Sequence, residues 1–213
     1  YRMDPEDFEE QLRYLRDCGY YSIRSDEWLA AILNRRPLPG KAIWLTFDDA
    51  YVDFYEYAWP LLKKYGFSAT VFVVSDQIGK SSNWDIAYGE ETSLMGWEHL
   101  RHLRDEGVEI GSHSATHRYL TGLSAADVVR EAARSRTILE QGLGIPVRIF
   151  AYPYGDSDAV VQHLIGACGY VVGINAQEGH ASTLHDDLLA LPRIEVFGTD
   201  TLQEFVRKLK TQY

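Results

Sequence analysis

Leu61-Leu62-Lys63-Lys64-Tyr65-Gly66, then Phe67-Ser68, then Ala69-Thr70-Val71-Phe72-Val73-Val74: a helical stretch closes on a glycine, and a short apolar run follows. Glycine suits the left-handed position that ends a helix, and so brief a loop suits units whose strands run parallel. The same unit recurs outward in both directions. Leu12 to Gly19 leads into Tyr20-Tyr21-Ser22-Ile23, and Leu100 to Gly107 leads into Val108-Glu109-Ile110-Gly111. Ile138 to Gly144 leads into Val147-Arg148-Ile149-Phe150-Ala151, and His163 to Gly169 leads into Tyr170-Val171-Val172-Gly173-Ile174. Helix starts agree with this division. Asp4-Pro5-Glu6-Asp7 places a capping aspartate before proline, and Phe8, Leu12 and Leu15 then share one face. Ser25, Ser124 and Ser157 are predicted as further N-caps, with Thr199 or Asp200 opening the last helix. Adding Ile43-Trp44-Leu45-Thr46-Phe47 and the run from Leu191 to Val196 gives about seven strands. The apolar runs alternate little, as expected for strands covered on both faces. The prediction is one α/β domain, a closed or nearly closed barrel in preference to an open sheet.

Composition bounds the function classes. The chain has 213 residues, 21 Lys+Arg against 31 Asp+Glu, and a net charge of −10, so nucleic acid is not expected as a partner. Cys18 and Cys168 lie far apart, which argues against a disulfide framework or a thiolate metal site. Each precedes a helix-ending glycine, so both are expected as small core residues. No apolar run reaches the roughly 20 residues of a membrane-spanning helix. The sequence opens at Tyr1 rather than Met, and any signal or anchor is expected upstream. A removed signal would place the protein outside the cytoplasm, in the periplasm or at the cell envelope.

The polar residues that stand out follow three of the predicted strands. Asp48-Asp49 follows 43–47, His113 and His117 follow 108–112, and Tyr152-Pro153-Tyr154-Gly155 follows 147–151. In a parallel barrel those ends share one rim, where catalytic groups gather. Histidines four apart can face one ion, though the pattern is common by chance. Two histidines and one carboxylate form a frequent hydrolytic metal set. Adjacent aspartates repel unless a cation or hydrogen bonds compensate, so the pair either caps a helix or divides into a metal ligand and a base.

Thr46-Phe47-Asp48-Asp49, His113-Ser-x-x-His117 and Phe150-Ala151-Tyr152-Pro153-Tyr154-Gly155, in that order, resemble the polysaccharide deacetylase family with its NodB homology domain. The resemblance covers residues 1–213 as one domain, its N-terminal-most element expected to lie outside the sequence. The first two motifs carry most of the specificity. The resemblance implies a distorted (β/α) barrel and metal-dependent removal of acetyl groups from N-acetylated, in some members O-acetylated, sugars or polysaccharides. It implies Asp48 as general base, Asp49, His113 and His117 as ligands of a divalent ion, usually zinc, and the Tyr154 backbone N–H as an oxyanion donor. Tyr152, Pro153 and Trp84 are then expected on the substrate side.

Two departures qualify the resemblance. Ala151 stands where many members carry an arginine that orients the base, so Asp48 lacks that partner unless another residue supplies it. The late run Leu191-Pro192-Arg193-Ile194-Glu195-Val196 holds no histidine to protonate the leaving amine. That acid is expected upstream, or in His185 as a weaker substitute. The departures favour an alternative, a catalytically degenerate domain that binds glycan without turnover, and a metal amidohydrolase of non-sugar amides is a third reading. His99, His102, His163 and His180 read first as surface residues, and Asp156 and Asp158 as caps. Trp84, Trp97 and Tyr51 follow strand ends, where they either stack on sugars or pack in the core.

Overall fold

The computed structural model describes residues 3–82, 84, 91–177, 179–182 and 187–210. Helices α1 (Pro5–Asp17), α2 (Ser25–Leu33), α3 (Trp59–Tyr65), α4 (Trp97–Asp105), α5 (Ala125–Leu143), α6 (Ala159–Ala167) and α7 (Leu202–Lys210) enclose short strands. These are β1 (Tyr20–Ser22), β2 (Lys41–Ile43), β3 (Thr46–Phe47), β4 (Thr70–Val73), β5 (Glu109–Ser112), β6 (Ile149–Ala151) and β7 (Val172–Ile174). Every strand pair is parallel: β1 with β2, and a curled sheet in the order β3-β4-β5-β6-β7. The architecture is the single-domain distorted (β/α) barrel that the family resemblance implies, with the parallel strands that the repeated unit predicts.

The run predicted as one strand over 43–47 serves two partners. Residues 41–43 pair with β1, and Thr46-Phe47 pairs with β4. Between them the Trp44 indole N–H donates to Thr70 Oγ1 at 2.7 Å and the Thr70 N–H to the Leu45 carbonyl at 2.9 Å, which turns the chain from one sheet to the other. The predicted strand over 191–196 contracts to a single parallel bridge, Ile174 with Leu191. That one bridge extends the strand order past β7.

Local chemistry sets the helix ends. Asp4 caps α1 by accepting the Glu6 N–H at 2.8 Å, and Ser124 caps α5. Gly66 and Gly144 take left-handed conformations at the ends of α3 and α5. Three expected caps differ. Ser25 is the first residue of α2, with its N–H donating to Glu109. Asp158 rather than Ser157 caps α6, accepting the Val161 N–H at 2.8 Å. Thr201 and Glu204 cap α7 reciprocally.

The five-stranded sheet is buried on both faces. Val71, Val73, Ile110 and Phe150 join Leu12, Leu62, Leu100 and Leu139 of the helices in one cluster. Phe72, Ile149, Ala151, Val172 and Ile174 join Ile23, Trp28 and Leu191 in the other. Two covered faces explain the continuous apolar strands, and each fully buried Phe or Leu contributes about 1.5–3 kcal/mol. Trp97 packs over Gly142, where an added Cβ would lie 2.2 Å from the indole, so this tryptophan is a packing residue. Cys18 and Cys168 are free, half-buried thiols at the C-caps of α1 and α6.

Candidate active site

All three strand-end motifs turn sharply, and the turns aim their side chains at one another. After β3 the chain takes left-handed φ at Asp49 (68°) and Ala50 (60°), and after β5 at Ser114 (63°) and His117 (62°). After β6, Tyr154 adopts φ 58°. Non-glycine residues in this region cost on the order of 1–3 kcal/mol each and persist where their surroundings over-determine them. Arg35 is the only other described non-glycine residue with positive φ, so this strain is concentrated at the rim.

The consequence is a compact polar group. Asp49 Oδ1 lies 3.3 Å from His117 Nε2 and 3.7 Å from His113 Nε2, and Asp48 Oδ2 lies 3.9 Å from His113 Nε2. His113 is buried, and its Nδ1 donates to the Ala151 carbonyl at 2.8 Å. A carbonyl can only accept, so Nδ1 donates and Nε2 is the ring atom turned toward Asp49. Burial, with His113 beside it, pushes the His117 imidazole down to about 2, leaving that ring neutral. Asp49, His113 and His117 offer ligand atoms all within 4.8 Å of one another. Two imidazoles and a carboxylate suit a divalent cation, so these three residues could hold a metal.

Asp48 is separated from that role by Arg193. The guanidinium straddles the carboxylate, with Nη1 donating to Oδ1 at 2.9 Å and Nη2 donating to Oδ2. Burial alone would raise the Asp48 pKa, but Arg193 and His113 outweigh it and hold the carboxyl well below the usual range. The cation that Ala151 does not provide thus arrives from the run after β7. Arg193 is placed there by the Leu191 bridge and by its own N–H, which donates to the Gln177 carbonyl at 3.1 Å. This run, which holds no histidine, supplies an arginine instead, and its only sequence signal was a charged residue within a short late run that also carries Glu195.

A second residue missed in the sequence is Glu131 on α5. Its buried carboxylate accepts the Ala115 and Thr116 N–H groups at 3.0 and 2.8 Å and the Thr116 hydroxyl at 2.7 Å. Ser114 Oγ accepts the His117 N–H at 2.9 Å. These bonds hold the turn that carries both histidines.

The remaining expectations divide. The Trp84 ring stacks on His117, centroids 4.5 Å apart and planes at 23°, beside the ligand group. Tyr154 meets His117 edge-on at 4.6 Å. Pro153 is buried at the start of a 3-10 turn over Pro153–Gly155. Tyr152 corrects the substrate-side expectation: it is fully buried, packs on Phe150, and its hydroxyl donates to the Leu189 carbonyl at 2.8 Å. An aromatic following a strand that is buried on both faces is drawn into the core, away from any ligand. Asp156 bonds to Thr121 across the rim instead of capping α6. His99 and His102 pack on Tyr55, and His163 and His180 are exposed. His185 lies outside the described residues.

Comparisons with known proteins point to one family. The family model described as polysaccharide deacetylase matches residues 35–173. YxkH of Bacillus subtilis (strain 168) is 28% identical, the match covering 92% of this chain and 66% of YxkH. The poly-beta-1,6-N-acetyl-D-glucosamine N-deacetylase of Escherichia coli (strain K12) is 24% identical, covering 95% of this chain and 34% of that protein. A Streptococcus pyogenes deacetylase, PplD, solved in complex with acetate, superposes with a TM-score of 0.85 at 27% identity. That superposition covers 98% of this chain and 88% of the other. The matched span takes in both aspartates, both histidines and the Tyr154 turn, and stops short of Arg193. By the match over most of its length, and by a fold shared with a deacetylase, the chain belongs to the polysaccharide deacetylase family.

Proposed function

We propose that this chain, residues 1–213 taken as one deacetylase domain, is a metal-dependent hydrolase of acetylated sugars, with N-acetylhexosamine polymers as its principal substrates. The observation that carries the reading is the division of labour at the rim: a base held by Arg193 beside a three-residue ligand group. Asp49, His113 and His117 would hold the ion, for which zinc fits the two-imidazole, one-carboxylate set. When bound, such an ion supplies Lewis acidity for the acetyl carbonyl and the attacking water.

The chain's own residues do the rest. Asp48, kept ionised and oriented by Arg193, accepts a proton from the water as its oxygen bonds to the acetyl carbon. The Tyr154 backbone N–H donates to the oxygen that gains negative charge. The carbon–nitrogen bond then breaks, and the proton taken by Asp48 balances the one the departing amine needs. Products are acetate and a free amino sugar; an O-acetyl ester would follow the same steps with an alcohol leaving. Arg193 at Asp48 answers one of the two departures that favoured a glycan-binding domain without turnover, the alanine at position 151.

The name of the Escherichia coli relative makes β-1,6-linked N-acetylglucosamine oligomers the first substrate to try. Zinc-loaded protein is expected to release acetate from them, and Asp48→Asn to lose about 100-fold or more in kcat while keeping its metal. Equal silence of both proteins on acetylated oligomers, with zinc bound, would end the hydrolase reading.

A further inference from the structure

Two large aromatic rings stand in solvent immediately outside the ligand group. Tyr119 is 59% exposed and Tyr154 38% exposed. Their rings lie face to face, 3.9 Å between centroids and 10° between planes. Tyr154 in turn meets the His117 ring, so the pair forms a continuous aromatic surface leading away from the candidate metal ligands.

The pair is built rather than incidental. Tyr154 holds the left-handed backbone that turns its ring toward His117. Two residues beyond each tyrosine, the two loops are joined by a carboxylate. Asp156 accepts the Thr121 N–H at 2.8 Å and the Thr121 hydroxyl at 2.8 and 3.0 Å. The chain thus commits a strained residue and a two-loop clamp to keeping apolar surface in water, the reverse of what folding alone favours.

We infer that the Tyr119–Tyr154 pair is a stacking subsite for a second pyranose ring of the polymer whose acetylated unit lies at the ligand group. The inference rests on the reading of the chain as a glycan deacetylase. The apolar C–H face of a pyranose fits the outward face of the exposed Tyr119 ring, whose phenol edge can meet sugar hydroxyls. The subsite therefore selects chains over single sugars. It acts on substrate affinity and leaves the chemistry at Asp48 to the residues already described.

The test compares Tyr119→Ala and Tyr119→Phe with the parent, all zinc-loaded. N-acetylglucosamine monomer and tetramer are used both for acetate release and for calorimetric titration. Tyr119→Ala is expected to raise KM and Kd for the tetramer roughly three- to tenfold, in KM rather than kcat, while Tyr119→Phe keeps parent values. Asp156→Ala, which unties the clamp without removing a ring, is expected to weaken tetramer binding as well. Unchanged tetramer affinity in Tyr119→Ala, or an equal loss for monomer and tetramer, overturns the subsite. The titration needs no turnover: selective loss of tetramer binding without acetate release would leave the subsite standing and remove the hydrolase reading.

Discussion

Asp48 has two neighbours, a group of candidate metal ligands on one side and a guanidinium that claims both of its oxygens on the other. A bidentate pair of this kind fixes the carboxylate plane as well as its charge. Both carboxylate oxygens contact Arg193, and Oδ2 also faces His113, so the proposed base is held in register with the candidate ligand group. Arg193→Met is expected to lower kcat about 10- to 100-fold with zinc content retained, and Arg193→Lys to recover part of the loss. Steady-state kinetics alongside metal analysis decide it; unchanged kcat in Arg193→Met would deny the arginine any part in the reaction. Asp48-Asp49 and the His113–His117 segment were readable because they come just after predicted strands, and strand ends of a parallel barrel share a rim. Arg193 was not readable in this way. Its partner lies 145 residues away, and the register that joins them rests on the Leu191 bridge and the Arg193 N–H bond to Gln177, outside any named strand.

At the scale of elements, the site is a set of turns braced by helices. The turn after β5 carries two left-handed residues, and α5 reaches over it with Glu131. Three donors converge on that carboxylate inside the protein, so its loss leaves buried N–H groups unsatisfied at about 1–3 kcal/mol each. Glu131→Ala is expected to loosen the His113–His117 spacing and weaken zinc binding about 10- to 100-fold. Glu131→Gln, which keeps one accepting oxygen, should lose less. A competition titration with a zinc chelator reads this without any substrate, and parent-like affinity in Glu131→Ala would show that the turn holds itself. Helix ends and apolar strands were legible because propensity, caps and glycine closure are local. The division of 43–47 between two partners, and the contraction of 191–196 to one bridge, were not, because pairing depends on what lies across the sheet. Glu131 was hidden for the same reason: a glutamate inside an amphipathic helix reads as solvated until the helix is docked.

For the molecule as a whole, the strain gathered at the rim and the desolvated His117 imidazole buried there make the candidate ligand group costly to form. Five left-handed residues hold the turns, and His117 gives up the charged form it would adopt in the unfolded chain below its ordinary pKa. An ion that binds only the folded arrangement stabilises by mass action, about 2.7 kcal/mol at a hundredfold excess over Kd. For a domain of this size each kcal/mol moves Tm by about 2–4 °C, so zinc is expected to raise Tm by roughly 5–10 °C. A chelator should reverse the shift. The parent and Arg193→Met are expected to shift alike, since the three ligand residues are kept, whereas His113→Ala with His117→Ala should shift little. Differential scanning calorimetry with and without zinc makes the comparison. A parent Tm indifferent to zinc, or a double variant that shifts as far as the parent, would detach the ion from this cluster. The barrel's stability would then rest on its two apolar clusters alone.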